Sequence, residues 1–264
     1  MLTERLNVLL TVALMTAPMQ AQAVDPLVLQ NALAGNLPAK AADALEGIPE
    51  PGPKLLAARS YYRSLVHLDS RWSWDEAKIA AFQDSSEHKA LLAEIDRIAR
   101  HFSQNNPDYA LFANTKVRSL DQQIASWNSN ASVKVAGESL LGTLANESNI
   151  PLTADNANLP EQLKTWLGAH APVPRPNLAA PGLSAHGQMR AIDFQIEKNG
   201  ALIAPADTAK VDSVWRAQGW DAKLKTSIME AGPSFQGPLL SPDEPWHYTY
   251  TANNQEHLPD ETIP

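Results

Sequence analysis

Residues 181–194 read PGLSAHGQMRAIDF. The stretch sets His186 and Asp193 seven positions apart, across a short Gly-containing turn that runs into an apolar segment. Imidazole nitrogen and carboxylate oxygen are ligands for a borderline divalent ion such as zinc. A catalytic zinc takes three protein ligands and leaves a fourth position for water. The pair therefore needs a third ligand from elsewhere in the chain, and a carboxylate nearby to handle protons.

The bulk composition narrows the choice of chemistry. The chain has 264 residues, 44% of them hydrophobic and 19% charged. That suits one sizeable domain, or one domain with a smaller appendage, and argues against wholesale disorder. A net charge of −8 argues against a nucleic-acid partner, which needs a basic face to neutralise phosphates. There is no cysteine, so thiolate ligands, a cysteine nucleophile and disulfides are all excluded, and a metal site must use His, Asp and Glu. The first residues, MLTERLNVLLTVALMTAPMQAQAVDP, give a polar lead with Arg5, an apolar run from Val8 to Met19, and an Ala21-Gln22-Ala23 cleavage pattern. This is the layout of a signal peptide over 1–23, and it predicts a periplasmic or secreted protein. No later stretch is long and apolar enough to cross a bilayer.

Helical patterning dominates the first part of the mature chain, read as a helical N-terminal region over 24–105. Residues 24–54 are rich in Pro, Ala and Gly and predict a loose lead-in with one helix. LLAARSYYRSLVHL (55–68) has helical spacing, and SWDEAKIAAF opens with Ser73 and Glu76 as a capping box. Leu91, Leu92, Ile95, Ile98 and Phe102 form one stripe of an amphipathic helix. From residue 106 the pattern changes to short β-like runs, YALFANTKV, RAIDFQIEK and WHYTYT, among Pro- and Gly-rich loops. Two helices interrupt them: PEQLKTWLG, with Pro160 in its first turn, and TAKVDSVWRAQG, with Thr208 as cap and Gly219 as stop. Without regular βαβ alternation, the expected fold is α+β, a small antiparallel sheet flanked by helices in a domain over 106–264.

His247 stands out among the seven histidines. It lies in SPDEPWHYTY, three positions after Glu244 and just before an alternating aromatic run. A strand edge there can present His247 to a metal and Glu244 to water, with Pro245 and Trp246 stiffening the link.

S-x-H-x(6)-D-F, with alanine two before the aspartate and followed by E-P-W-H-Y, resembles the zinc D-Ala-D-Ala carboxypeptidase and dipeptidase family, whose fold is shared with the hedgehog signalling domain. The resemblance implies that His186, Asp193 and His247 hold Zn2+ and that Glu244 is the general base. It also implies a transition-state arginine in a G-Y-R-S-x-x-x-Q segment. Here NTKVRSLDQQ supplies Arg118, Ser119 and Gln123 at that spacing, with Lys116 and Val117 where the family has Gly and Tyr. The long interval from Arg118 to His186 implies an insertion around 130–175, and Met189 stands where the family has glycine. Ser184, Gln123 and Trp246 are the candidate substrate contacts. The activity so implied is removal of the terminal alanine from peptidoglycan stem peptides ending in D-Ala-D-Ala.

Two rival readings fit parts of the chain. Serine D,D-peptidases carry S-x-x-K, S-x-N and K-T-G in order. This chain has SEHK ending at Lys89, SWN at 126–128 and KTS at 225–227. The other rival is a catalytically weak module of the same fold that binds cell-wall peptide.

Overall fold

A computed structural model describes residues 25–251; the signal segment expected over 1–23 lies outside the described residues. The chain opens with α1 (Pro26–Ala34), α2 (Ala39–Glu46), α3 (Pro51–Arg63), a single turn α4 (Leu68–Arg71), α5 (Glu76–Gln83) and α6 (Ser86–Asn105). Strand β1 (Tyr109–Ala113) is followed by α7 (Leu120–Ser129), α8 (Ala131–Glu147) and α9 (Leu159–Ala169). Then come β2 (Ala191–Lys198), β3 (Ala201–Ala204), α10 (Trp220–Ala231), β4 (Phe235–Gln236) and β5 (His247–Tyr250). The fold is α+β.

The lead-in is more ordered than its composition suggests. Residues 24–54 contain α1, α2 and the start of α3 in place of a loose segment with one helix. Their prolines open helices: Pro26 and Pro51 occupy first-turn positions, and Pro38 sits at the N-cap of α2. A first-turn proline loses no hydrogen bond, because its N–H would have had no intrahelical partner. Side chains cap other helices: Asp25 accepts from Leu27 N, Ser85 from His88 N, and Asn130 from Ser132 N and Val133 N. The expected Ser73–Glu76 box does not form. Asp75 caps α5 by accepting from Lys78 N, and Ser73 is buried elsewhere. Gly219 is left-handed, at φ 67°, and precedes α10; Asp207, not Thr208, caps the turn before it.

Five antiparallel strands form the sheet, in the order β1-β2-β5-β4, with β3 also paired to β2. β2 is its spine. Its second half pairs with β1 (Ala113↔Phe194) and β3 (Lys198↔Ala201), and its first half pairs with β5 (Asp193↔His247). Successive strand residues face opposite sides. Ile192, Phe194 and Ile196 enter a core with Ile98 and Phe102 of α6, Trp215, and Leu224 and Ile228 of α10. Tyr248 and Tyr250 of β5 enter the same core.

A second core is all helical. It joins α1–α4 to α7–α9 through Leu33, Leu45, Tyr61, Trp127, Leu140 and Leu163. The expected insertion around 130–175 is thus α8 and α9, which complete this helical core. Both cores draw residues from 24–105 and from 106–264. Helices α3 and α8 approach closely where Gly52 meets Gly137. A Cβ on Gly137 would lie 2.5 Å from the Gly52 carbonyl carbon, while one on Gly142 of the same helix would meet nothing within 4 Å.

This contrast gives a test within one helix. Gly137→Ala is expected to lower stability by about 3 kcal/mol, the upper range for overpacking. Gly142→Ala is expected to raise it by about 0.5–1 kcal/mol through helix propensity. Urea unfolding of the two variants reads both signs.

Candidate metal centre

The register of β2 and β5 creates the centre. Asp193 and His247 are directly paired, and both lie on the sheet face opposite the Phe194–Tyr248 core. His247 Nδ1 lies 3.0 Å from Asp193 Oδ1. His186 comes from the 3-10 turn Ala185–Gln188, with Nε2 3.4 Å from Asp193 Oδ2 and its ring edge-on to that of His247. All three residues are buried, and one ligand atom from each lies within 4.8 Å of the others. Zinc bonds of 2.0–2.2 Å in tetrahedral array place ligand atoms about 3.3–3.6 Å apart. The separations from Asp193, 3.0 Å and 3.4 Å, are close to that, and the three side chains could hold a single small ion.

Protonation also suits a metal. Burial lowers the pKa of His186, outweighing the Asp193 carboxylate beside it, so the ring is neutral at pH 7. Burial alone would raise the pKa of Asp193, but hydrogen bonds from His186 and His247 hold it far below the usual carboxylate range. Metal ligands must be deprotonated, and both groups are already so.

Glu244 stands beside the three. Its Oε2 is 3.5 Å from His247 Nδ1. A short turn fixes the pair: His247 N donates to Glu244 O, and Glu244 N donates to Leu239 O, each at 3.0 Å. Arg216 anchors this turn by pairing with Asp243 and Asp212. Arg118 donates from Nη2 to Asp193 Oδ2 at 2.6 Å, and its backbone N–H donates to His186 O.

The centre forms part of a cleft of about 350 Å³ between the helical core and the sheet. Ser184, His186, Asp193, Glu244, Trp246, His247 and Arg118 all line it. Trp246 is only 3% exposed and packs on Trp215, so it belongs mainly to the core and shows only part of its surface to the cleft.

Gln123 departs from its expected role as a substrate contact. It is buried, and its amide donates to Ser73 Oγ and Arg118 O while its oxygen accepts from Gly182 N. It locks Arg118 to the turn bearing His186 and does not line the cleft. Gly187 shows how tight this lock is, since a Cβ there would approach Ser73 Oγ to 2.1 Å. The spacing R-S-x-x-x-Q is legible as a motif, but the role of its glutamine is scaffolding. Ser119 adds a capping box with Gln122 at the start of α7. Sequence reading missed Ser73, Gln188 and Arg216, whose roles depend on partners more than 20 residues away. His170 is remote from the centre, stacked on Trp166.

Met189 has φ 51° and ψ 27°, a left-handed conformation. It ends the His186 turn and buries its side chain in the sheet core. Such backbone costs a non-glycine residue about 1–2 kcal/mol, which burial of the thioether chain offsets.

The segments proposed for a serine peptidase fall on separate helices. Ser86 begins α6, Ser126 lies on α7 and Lys225 on α10, all exposed and none lining the cleft. Among the described residues no helix is long and apolar enough to cross a membrane. Compared with family models, curated proteins and solved structures, the chain matches none.

Two outcomes follow from this geometry. Met189→Gly is expected to be about 1 kcal/mol more stable than Met189→Ala, the reverse of the usual order, because only alanine keeps the left-handed penalty; thermal unfolding compares them. The wild-type chain is expected to take up one zinc ion, and His247→Ala to lose it, as read by metal analysis after dialysis. Uptake should weaken in acid, and at a pH below the ordinary imidazole range, because burial lowers the pKa of His186 and delays proton competition for its ring.

Proposed function

We propose that the protein is a zinc metallopeptidase that removes the terminal D-alanine from peptidoglycan stem peptides. The observation that carries this reading is the convergence of His186, Asp193 and His247 in a cleft, with the Glu244 carboxylate beside His247. Three protein ligands with an adjacent carboxylate is the donor pattern of hydrolytic zinc sites. The resemblance of both sequence halves to D-Ala-D-Ala carboxypeptidases supports the choice of substrate. Export directed by residues 1–23 would bring the activity to the periplasm or outside the cell, where such peptides occur.

Zinc, when bound, supplies a Lewis acid and makes water more acidic. Glu244 then accepts a proton as water oxygen bonds to the scissile carbonyl carbon. When the C–N bond breaks, Glu244 returns that proton to the departing amine. Arg118 donates to the Asp193 carboxylate and has further N–H donors for the oxyanion that develops on the carbonyl. Loss of one such donor typically costs about 3 kcal/mol of barrier. Ser184 lines the cleft two residues before His186 and can hydrogen-bond the substrate backbone.

Glu244→Gln separates a peptidase from a module that only binds wall peptide. The variant is expected to keep its zinc while losing at least a hundredfold in turnover. Mass spectrometry of muropeptides should show loss of one alanine with the wild type, blocked by chelator. A wild-type protein as inactive as the variant would favour the binding module, and an internal cut would redirect the specificity.

A further inference from the structure

Segment 70–74 is where the N-terminal helices reach the cleft. Ser73 N donates to Gly182 O at 2.8 Å and Trp74 N to Gly187 O at 2.9 Å. The Gln188 side-chain amide donates to both Ser70 O and Trp72 O, each at 2.8 Å. Those two carbonyls flank Arg71. The backbone of Arg71 is therefore clamped to the same turn that carries His186, and its side chain lines the cleft with His186 and Asp193.

Arg71 is half-buried, and among the described residues no carboxylate pairs with it. The cleft's other arginine, Arg118, is engaged by Asp193. The two walls also differ in charge. The helical wall presents Arg71 with the neutral Asn130, Asn177 and Leu178, and the opposite wall presents Asp207 and Glu244. A half-desolvated guanidinium held by its backbone is a ready partner for a planar two-oxygen anion, with parallel N–H donors and little entropy left to lose.

We propose that Arg71 is the docking cation for a carboxylate of the peptide substrate, and that it fixes which way the peptide lies across the metal centre. This rests on the peptidase reading and deepens it: a segment outside the resembling region supplies the carboxylate subsite. The carboxylate is either the peptide's C-terminus or the side group of an acidic residue within the stem, and the two are separable.

The test uses three probes: diacetyl-L-Lys-D-Ala-D-Ala with a free C-terminus, the same peptide as its C-terminal amide, and L-Ala-γ-D-Glu-L-Lys-D-Ala-D-Ala amide, which carries only an internal carboxylate. Binding to zinc-loaded Glu244→Gln protein is measured by calorimetry, with and without Arg71→Gln. A free terminal or internal carboxylate is expected to tighten binding ten- to a hundredfold over the amide, and Arg71→Gln to erase that gain. Arg71→Lys should restore part of it. In the turnover background, Arg71→Gln should raise KM by a similar factor with a smaller change in kcat.

Dependence on the first probe assigns the subsite to the C-terminus, and dependence on the third assigns it to an internal acidic residue. Equal binding of all three probes, binding indifferent to Arg71, or no binding at all overturns the proposal. Arg71-dependent binding without hydrolysis by the wild type would sink the peptidase reading and leave the carboxylate subsite standing. Hydrolysis indifferent to Arg71 would do the opposite.

Discussion

The pairing of Asp193 with His247 across two antiparallel strands is the constraint on which the rest of the site depends. In a strand, neighbours point to opposite faces, so register decides which side chains meet. Here the face bearing Ile192, Phe194, Tyr248 and Tyr250 is committed to a core. Burying each such side chain is worth about 1.5–3 kcal/mol, so the register that buries them is strongly preferred. The same register turns Asp193 and His247 to the other face, directly opposite each other. A slip of one residue would send His247 into the core and Tyr248 to the cleft. The sheet core thus positions two of the three ligands without any polar interaction at the site itself.

The third ligand comes from a turn with little regular structure, and it needs other support. Gln123, Ser73, Gln188 and Trp74 hold the 182–188 turn by hydrogen bonds of 2.8–2.9 Å. Gln188 belongs to the turn itself, and the others come from α7 and from segment 70–74, which adjoin the helical core. His186 therefore depends on the helices, and Asp193 and His247 depend on the sheet. The centre forms where the two cores meet. This gives the N-terminal helices and the α7–α9 segment a structural reason to be present: together they make the wall that fixes the turn.

Much of this was legible in the sequence because it follows from periodicity. The strands in RAIDFQIEK and WHYTYT and the first-turn Pro160 appear as read, and so does the α6 stripe except that Leu92 is exposed and Glu94 is buried in its place. That His186, Asp193 and His247 meet, with Glu244 beside them, was legible because the short local patterns around them lie on single turns or strands. What failed to show were features settled by competition or by distant contacts. Ser73 and Asp75 can both cap α5; Asp75 does so because Ser73 is drawn into the bond with Gln123, 50 residues away. Gln123 has the spacing of a site residue, and only the packed structure reveals that its amide is spent on the backbone around Arg118 and Gly182. Prolines at 26, 38 and 51 read as breakers in a composition scan, yet each begins a helix, and a few residues' shift in boundary separates the two meanings.

Charge placement bears on how an acidic protein would receive the acidic peptide proposed as its substrate. The chain carries a net charge of −8, but in physiological salt its repulsion of an anion is largely screened beyond a Debye length of about 8 Å. Inside the cleft the balance is local. Arg118 pairs with Asp193, and Glu244 lies beside His247 on the other side of the centre. Arg71 then adds a cation on the wall away from Glu244 and Asp207. Under the proposed function, a peptide entering with its carboxylate toward Arg71 would carry its scissile bond toward His186, Asp193 and His247. The reversed peptide would bring that carboxylate against the acidic wall and leave Arg71 without a counter-ion. Orientation is thus decided by repulsion on one wall as much as by attraction on the other, which is the usual route to specificity when total affinity is modest.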